Sequence, residues 1–422
     1  MRAQVVCVVI ATLLCAPALQ AQNTELAPAA ERLDQLQTTL RKARAGSDWP
    51  SYLATARQMK DLLNASPASQ LELARAETHA GHIDAALDEL AAYARTGQAS
   101  EVIETLADFE PLRRSQKFDH VRTVMATNRR PAARATAAFR ISDERLVPED
   151  IDFDPRSRRF FLSSVLQHRI VSTTGDGALA PFANAPDDWP VLALKIDAKR
   201  QVLWATEVAL NRGRSAVLSY DLNTARLLQR IEGPPGSALG DMALATDGSV
   251  VVSDGEHGGV YRLEPGKDSL ERLDQGDFIS PQTVALAPDS THVYVPDYLR
   301  GLGLLDFKTK RVQWLSTNGV FALAGIDGLY SAGNRLLAVQ NGASPERVML
   351  FSMDATGRKI VGEQVIERAT GTLGDPTHGV IVGDTFYYIA NAGWESLDAE
   401  GTAKPGATMT PALVMKWRLT NP

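Results

Sequence analysis

Six stretches with one shared internal order recur along the second part of the chain, and this recurrence limits the fold more tightly than any other feature. They are "PEDIDFDPRSRRFFLSS", "LALKIDAKRQVLWAT", "GDMALATDGSVVVSD", "PQTVALAPDSTHVYVPD", "IDGLYSAGNRLLAVQN" and "THGVIVGDTFYYIAN". Their starts fall near 148, 192, 240, 281, 326 and 377, a spacing that matches one four-stranded propeller blade. Each reads as a short strand, a turn such as "TDG" or "PDS", a second strand and a third such as "GGVYRLEP", the period-two pattern of half-buried β-structure. Six units fit Ala138 to Leu419, so residues 138–420 are expected to form an all-β six-bladed propeller. An open ring exposes two strand edges, so the terminal stretches "AAFRIS" and "LVMKWRL" are expected to pair and close it. The second unit is the least regular.

Residues 29–127 carry a different period. In "ERLDQLQTTLRKARA", Leu33, Leu36 and Leu40 share one helical face, and Pro50 suits the first turn of "SYLATARQMKDLL". "LELARAETHAGHIDAALDELAAYARTG" gives two amphipathic stretches broken at Gly81, with small Ala74, Ala85 and Ala86 available for close helix contact. The unit Leu71 to Tyr93 resembles a tetratricopeptide (TPR) repeat, and "LADFEPLRRSQKFDHVRTVM" resembles the piece that closes short arrays of them. A helical domain that packs on its neighbour is the alternative reading. "NRRPAARATAAFR" is short of large apolar residues and contains Pro131, which makes 128–137 a linker. The expectation is an all-α TPR-like domain before the propeller, an α+β multidomain chain overall.

At the N-terminus, Arg2, the apolar run Val5 to Leu14 and the small residues of "CAPALQAQ" follow the three-part grammar of a secretory signal, residues 1–21. Cleavage fits after Ala21 or Ala18, and the apolar run is too short to stay as a membrane anchor. This points to a periplasmic or secreted protein with no transmembrane segment after signal removal. Cys7 and Cys15 both lie inside the signal, so the mature chain has no cysteine for disulfides, thiolate metal sites or a thiol nucleophile. Losing Arg2 takes the net charge from −6 to −7, and no Lys/Arg-rich stripe marks a nucleic-acid partner.

"PEDIDFDPRSRRFFLSSVLQHRIV", "GDMALATDGSVVVSDGEHGGVYRLEP", "SPQTVALAPDSTHVYVPDY" and "GIDGLYSAGNRLLAVQNG" together resemble the regucalcin (senescence-marker protein) and gluconolactonase family of six-bladed propellers, over roughly residues 145 to 420. The resemblance implies a divalent cation on the propeller axis, calcium first and zinc second. It implies Glu149 and Asp327 as metal ligands, with Gln282 where the family has a ligand Asn. Gly240 stands where the family has a substrate-binding Asn, leaving Asp241 as the matching neighbour. It also implies lactone or ester hydrolysis, with Asp327 as both ligand and general base. A physical argument runs in parallel: heads of inner strands converge on the axis, and carboxylates meeting there repel unless a cation joins them or protons neutralise them.

Two further residues enter as substrate-binding candidates. Asn341 either offers an amide to the channel mouth or serves the Asn-Gly turn through positive φ. His378, which heads the sixth unit, is a ligand, a proton shuttle or a structural histidine. His79 and His82 lack further metal ligands nearby, no "GxSxG" turn supports a serine triad, and Trp204, Trp314, Trp394 and Trp417 read as blade packing. Two functions remain in contest: a metal-dependent hydrolase of a small lactone, ester or sugar-like ligand, and a non-catalytic module that binds a protein, peptide or sugar through the propeller face and the helical groove.

Overall fold

The structure, a computed structural model, describes residues 28–317 and 321–419; the expected signal and both cysteines lie outside the described residues. Six helices come first: α1 (Pro28–Ala45), α2 (Trp49–Leu62), α3 (Pro67–His79), α4 (Ile83–Arg95), the single turn α5 (Val102–Thr105) and α6 (Gln116–Asn128). Local signals fix their ends. Asp48 accepts a hydrogen bond from the Ser51 amide at the start of α2, where Pro50 sits in the first turn. The faces read from the sequence are the buried ones: Leu33, Leu36 and Leu40 pack on Tyr52, Leu53, Met59 and Leu73.

The remaining chain forms six antiparallel sheets, the blades of a six-bladed propeller. Their innermost strands are Ile151–Asp154, Val191–Asp197, Leu239–Leu244, Ala285–Leu286, Gly328–Ala332 and Gly379–Val382. The ring closes as the terminal sequences require: Thr136–Arg140 pairs with Leu413–Arg418, with Thr136 opposite Lys416 and Phe139 opposite Val414. The segment just after α6 is more than a connector, because Ala132–Ala133 adds a fifth strand to the outer edge of blade 5, against Arg368 and Glu367. The irregularity of the second unit is a register shift between Val191 and Leu194.

Topology sets where the site lies. Every inner strand starts on one face of the ring, so the turn between second and third strands, and each connection to the next blade, return to that face. The helical region sits there too, over blades 4 and 5. Ile279 and Leu299 of the propeller complete the apolar core of α1 to α3. The Ala29 amide donates to Gly276 O at 3.1 Å and Asn64 Nδ2 to Arg300 O at 3.1 Å. Across the same face, the connection between the second and third strands of blade 6 carries the short 3-10 turn Trp394–Ser396 over blades 1 and 2. There Leu397 packs with Val147, Val165 and Val208, and Asn211 donates to the carbonyl of Ala399.

Candidate metal centre

Four blades bring Glu149, Asp241, Asp327 and His378 together at the head of the channel. Glu149, Asp327 and His378 each place a donor atom within 4.8 Å of the other two. Among the described residues they form the one such group of His, Cys, Asp and Glu. His378 is 1 % exposed, Asp241 7 % and Glu149 12 %, so the group is dry except on the Glu149 side.

Each side chain is held from outside the group. The Trp394 indole N–H donates to Oε2 of Glu149, and the Glu149 carbonyl accepts from Thr377 Oγ1 at 2.8 Å. His378 Nδ1 lies 2.9 Å from that same carbonyl, an acceptor, so Nδ1 carries hydrogen. Nε2 is buried without a hydrogen bond of sound geometry, although Oδ1 of Asp241 lies 2.6 Å away. Asn341 Nδ2 donates to Asp327 Oδ2 at 2.7 Å, and Tyr298 Oη donates to Asn341 Oδ1 at 3.0 Å, a relay from blade 4 to the carboxylate of blade 5.

Burial dominates the acid–base character. It pushes Asp327 up to about 6, with Asp241 adding to the rise while His378 and the Asn341 amide oppose it. Burial likewise raises Glu149 well above its ordinary range, against the pull of His378 and with help from Asp327. For His378 burial acts downward, yet Asp241, Asp327 and Asp150 outweigh it and hold the imidazole well above its ordinary value. A buried imidazole nitrogen with no aligned partner, beside three carboxylates, is a donor set that a divalent cation fits.

The other named residues fall as follows. Gln282 turns aside: its Nε2 donates to Ser280 Oγ at 3.0 Å, and its backbone N–H goes to Pro296 O within its own blade. The next residue reaches the cluster by hydrogen bonds: Thr283 Oγ1 donates to Asp241 Oδ1 at 3.0 Å and Thr283 N to Asp327 O at 3.1 Å. Gly240 contributes its carbonyl, 3.4 Å from Thr206 Oγ1. Asn341 is not in a left-handed turn; its amide is on Asp327 instead. Close packing allows this, because a Cβ on Gly342 would stand 2.6 Å from Gly325 Cα and 2.6 Å from Tyr298 Cζ.

Sequence reasoning missed four contributors. Trp394 was read as packing only, and its polar edge finds Glu149. Lys195, in the inner strand of blade 2, lies 2.5 Å from Oδ2 of Asp150, which also accepts the Leu194 amide at 2.9 Å. Glu346 Oε2 accepts from the Asp375 amide at 3.1 Å, and Asp375 lies near enough to Asp327 to feel its charge. Burial pushes Glu346 up to about 7 with Glu395 adding to it, and raises Asp375 well above its ordinary range with Glu346, Glu395 and Asp327 contributing. A lysine, a glutamate or a tryptophan next to an ordinary strand carries no pattern that announces such a meeting.

No family model matches the chain, and no curated protein matches it. Among solved structures, the chain is similar to the PQQ-bound aldose sugar dehydrogenase of Streptomyces coelicolor, with 12% identity, 68% of this chain and 99% of that one covered, and a TM-score of 0.47. It is similar to a gluconolactonase of Xanthomonas campestris, with 17% identity, 68% and 94% covered, and a TM-score of 0.46. A luciferin-regenerating enzyme gives 12%, 69% and 96%, and 0.46. At these identities and scores the likenesses carry no argument about chemistry, and the propeller rests on the chain's own six sheets.

Proposed function

We propose that the protein is an exported, metal-dependent hydrolase of a small lactone or related ester, with its centre at Glu149, Asp327 and His378. One observation carries this: three acid–base side chains far apart in sequence, from three consecutive blades of the closed ring, converge, buried, within 4.8 Å of one another. A carboxylate–carboxylate–imidazole set favours zinc or a similar transition ion over calcium, which takes oxygen ligands. When bound, the ion would supply Lewis-acid polarisation of the substrate carbonyl.

The chain's own groups account for the proton traffic. Asp327, pushed up to about 6, is suited to act as general base near neutral pH. As water attacks the carbonyl carbon a C–O bond forms, and Asp327 takes the proton. The ring C–O bond then breaks and the proton passes to the departing oxygen, leaving a hydroxy acid. Asn341 orients the carboxylate, and Trp394 holds Glu149 in place. Export rests on the N-terminal signal pattern, and N-terminal mass analysis of the mature protein tests it at Ala18 and Ala21.

A second reading, a non-catalytic binding module, draws support from the cations already present. Lys195 pairs with Asp150 and His378 lies beside Asp241, so the cluster is also neutralisable as a polar plug. A protein partner in a TPR-like groove draws less support, since Ile279 and Leu299 of the propeller fill the apolar face of α1 to α3. Metal analysis of the purified protein followed by a lactone panel decides between the two. A divalent ion retained by wild type, lost in Glu149→Gln and Asp327→Asn, with lactone turnover in wild type alone, supports the hydrolase. A metal-free wild type ends it.

A further inference from the structure

The loop 341–346 joins two strands of blade 5, Arg335–Gln340 and Arg347–Met353. It begins with Asn341, whose amide holds Asp327, and it is fastened at its far end to the helical region. Ser344 is the fastening point: its amide donates to Gln98 Oε1 at 2.9 Å, and its carbonyl accepts from the Ala99 amide at 2.5 Å. Gln98 is itself fixed, because Asn128 Nδ2 at the end of α6 donates to the Gln98 carbonyl at 2.8 Å and to Ala94 O at 2.7 Å.

Directly after the loop, Arg347 is wholly buried, and its hydrogen bonds go to neutral oxygens. Its Nε donates to Gln340 Oε1 at 2.7 Å, its Nη1 to Gly97 O at 3.2 Å and Thr96 O at 3.4 Å, and its Nη2 to Ala322 O at 3.4 Å. The guanidinium stands 4.8 Å over the Phe321 ring. Thr96 and Gly97 follow the last turn of α4, where helix carbonyls lack intrahelical partners and the helix dipole is negative, so the cation is matched to that place. Gly97 has φ +78, and a Cβ there would lie 2.5 Å from both Arg347 Nη1 and Phe321 Cδ1. Left-handed backbone and tight approach together call for glycine.

We propose that the turn 96–99 is a positioning clamp for the metal centre: Gln98 and Arg347 fix the loop 341–346 so that Asn341 meets Asp327. Neither residue touches the donor atoms, so both are positioning residues. The proposal rests on the reading of Asp327 as ligand and base, and it makes the helical region part of the propeller's site.

The test uses the full chain and zinc as probe. In Gln98→Ala, zinc affinity by calorimetry is expected to fall by about tenfold, the usual effect of losing an outer support, with the circular dichroism spectrum unchanged. Asn341→Ala is expected to lose a similar factor, and the double variant no more than Asn341→Ala alone, because Gln98 acts through Asn341. Arg347→Lys keeps the charge but not the forked donor geometry, and is expected to weaken zinc in the same way. Hydrogen exchange supplies a readout independent of metal. The Gly342 amide bonds to Gly325 O and has no contact with Gln98, so faster exchange in peptides spanning 341–343 of metal-free Gln98→Ala is expected. Additive losses in the double variant, or unchanged exchange at Gly342, overturn the clamp. Wild type that binds no zinc, with exchange at Gly342 accelerated as expected, removes the hydrolase reading and leaves the clamp standing.

Discussion

The indole N–H of Trp394 reaches the carboxylate of Glu149 across 245 positions of sequence, joining the long connection of blade 6 to the first blade. It is the contact that fixes how Glu149 faces the other donors. Trp394→Phe keeps the packing surface and removes the donor. Zinc affinity is expected to fall by about ten- to hundredfold, measured by competition with a chromogenic chelator, with little change in thermal midpoint.

Asp327 gives a pH signature with a definite sign. Its folded pKa of about 6 lies above its ordinary 3.8, so the fold holds the proton more tightly than the unfolded chain does. The associated stability is present in full below pH 4 and is lost as pH rises through 6. His378, also raised, contributes in the same direction, with stability lost as pH climbs through its elevated folded value. In urea titrations of metal-free protein, the stability of wild type relative to Asp327→Asn is expected to decline between pH 4 and 6 by at most about 3 kcal/mol. Added zinc is expected to reverse the trend, because a metal takes the deprotonated donors.

Lys195 and Asp150 form a buried pair with a clear test. Asp150 accepts from the Ile151 and Leu194 amides as well as from Lys195. Lys195→Met leaves the carboxylate short of its cation and is expected to destabilise the protein by about 3–5 kcal/mol in urea unfolding. Adding Asp150→Leu recovers part of that loss.

Gly342→Ala inserts a methyl group where two backbones and the Tyr298 ring already meet. Overpacking of this kind costs about 1–3 kcal/mol. The loop shifts away from Gly325 and Asn341 leaves Asp327, so zinc affinity is expected to drop along with stability, unlike in an overpacked core position elsewhere in the ring.

The recurrence of similar units made the ring readable, since each inner strand is an apolar run set off by turn residues, and the pairing of "AAFRIS" with "LVMKWRL" follows from the need to cover edges. Glu149 and Asp327 were findable because they stand at matching strand heads. Around Gln282 the pattern was less informative: the inner strand of blade 4 is only Ala285–Leu286, Pro281 bridges to Asp297 just before it, and the blade 4 side chain that hydrogen-bonds Asp241 is that of Thr283, which carried no signal in the sequence. Trp394 lies in a long irregular connection where no period constrains direction. The seating of α1 to α3 on Ile279 and Leu299 was hidden for a related reason, because an apolar face shows that a helix packs without saying on what.

The closing strand pair has a consequence for biosynthesis. Blade 6 carries His378, and its third strand is Leu413–Arg418, which also anchors Thr136–Arg140. A nascent chain therefore cannot assemble the centre until residue 418 has left the ribosome, however early the helices form. Copies released before that point lack the strand pair that closes the ring.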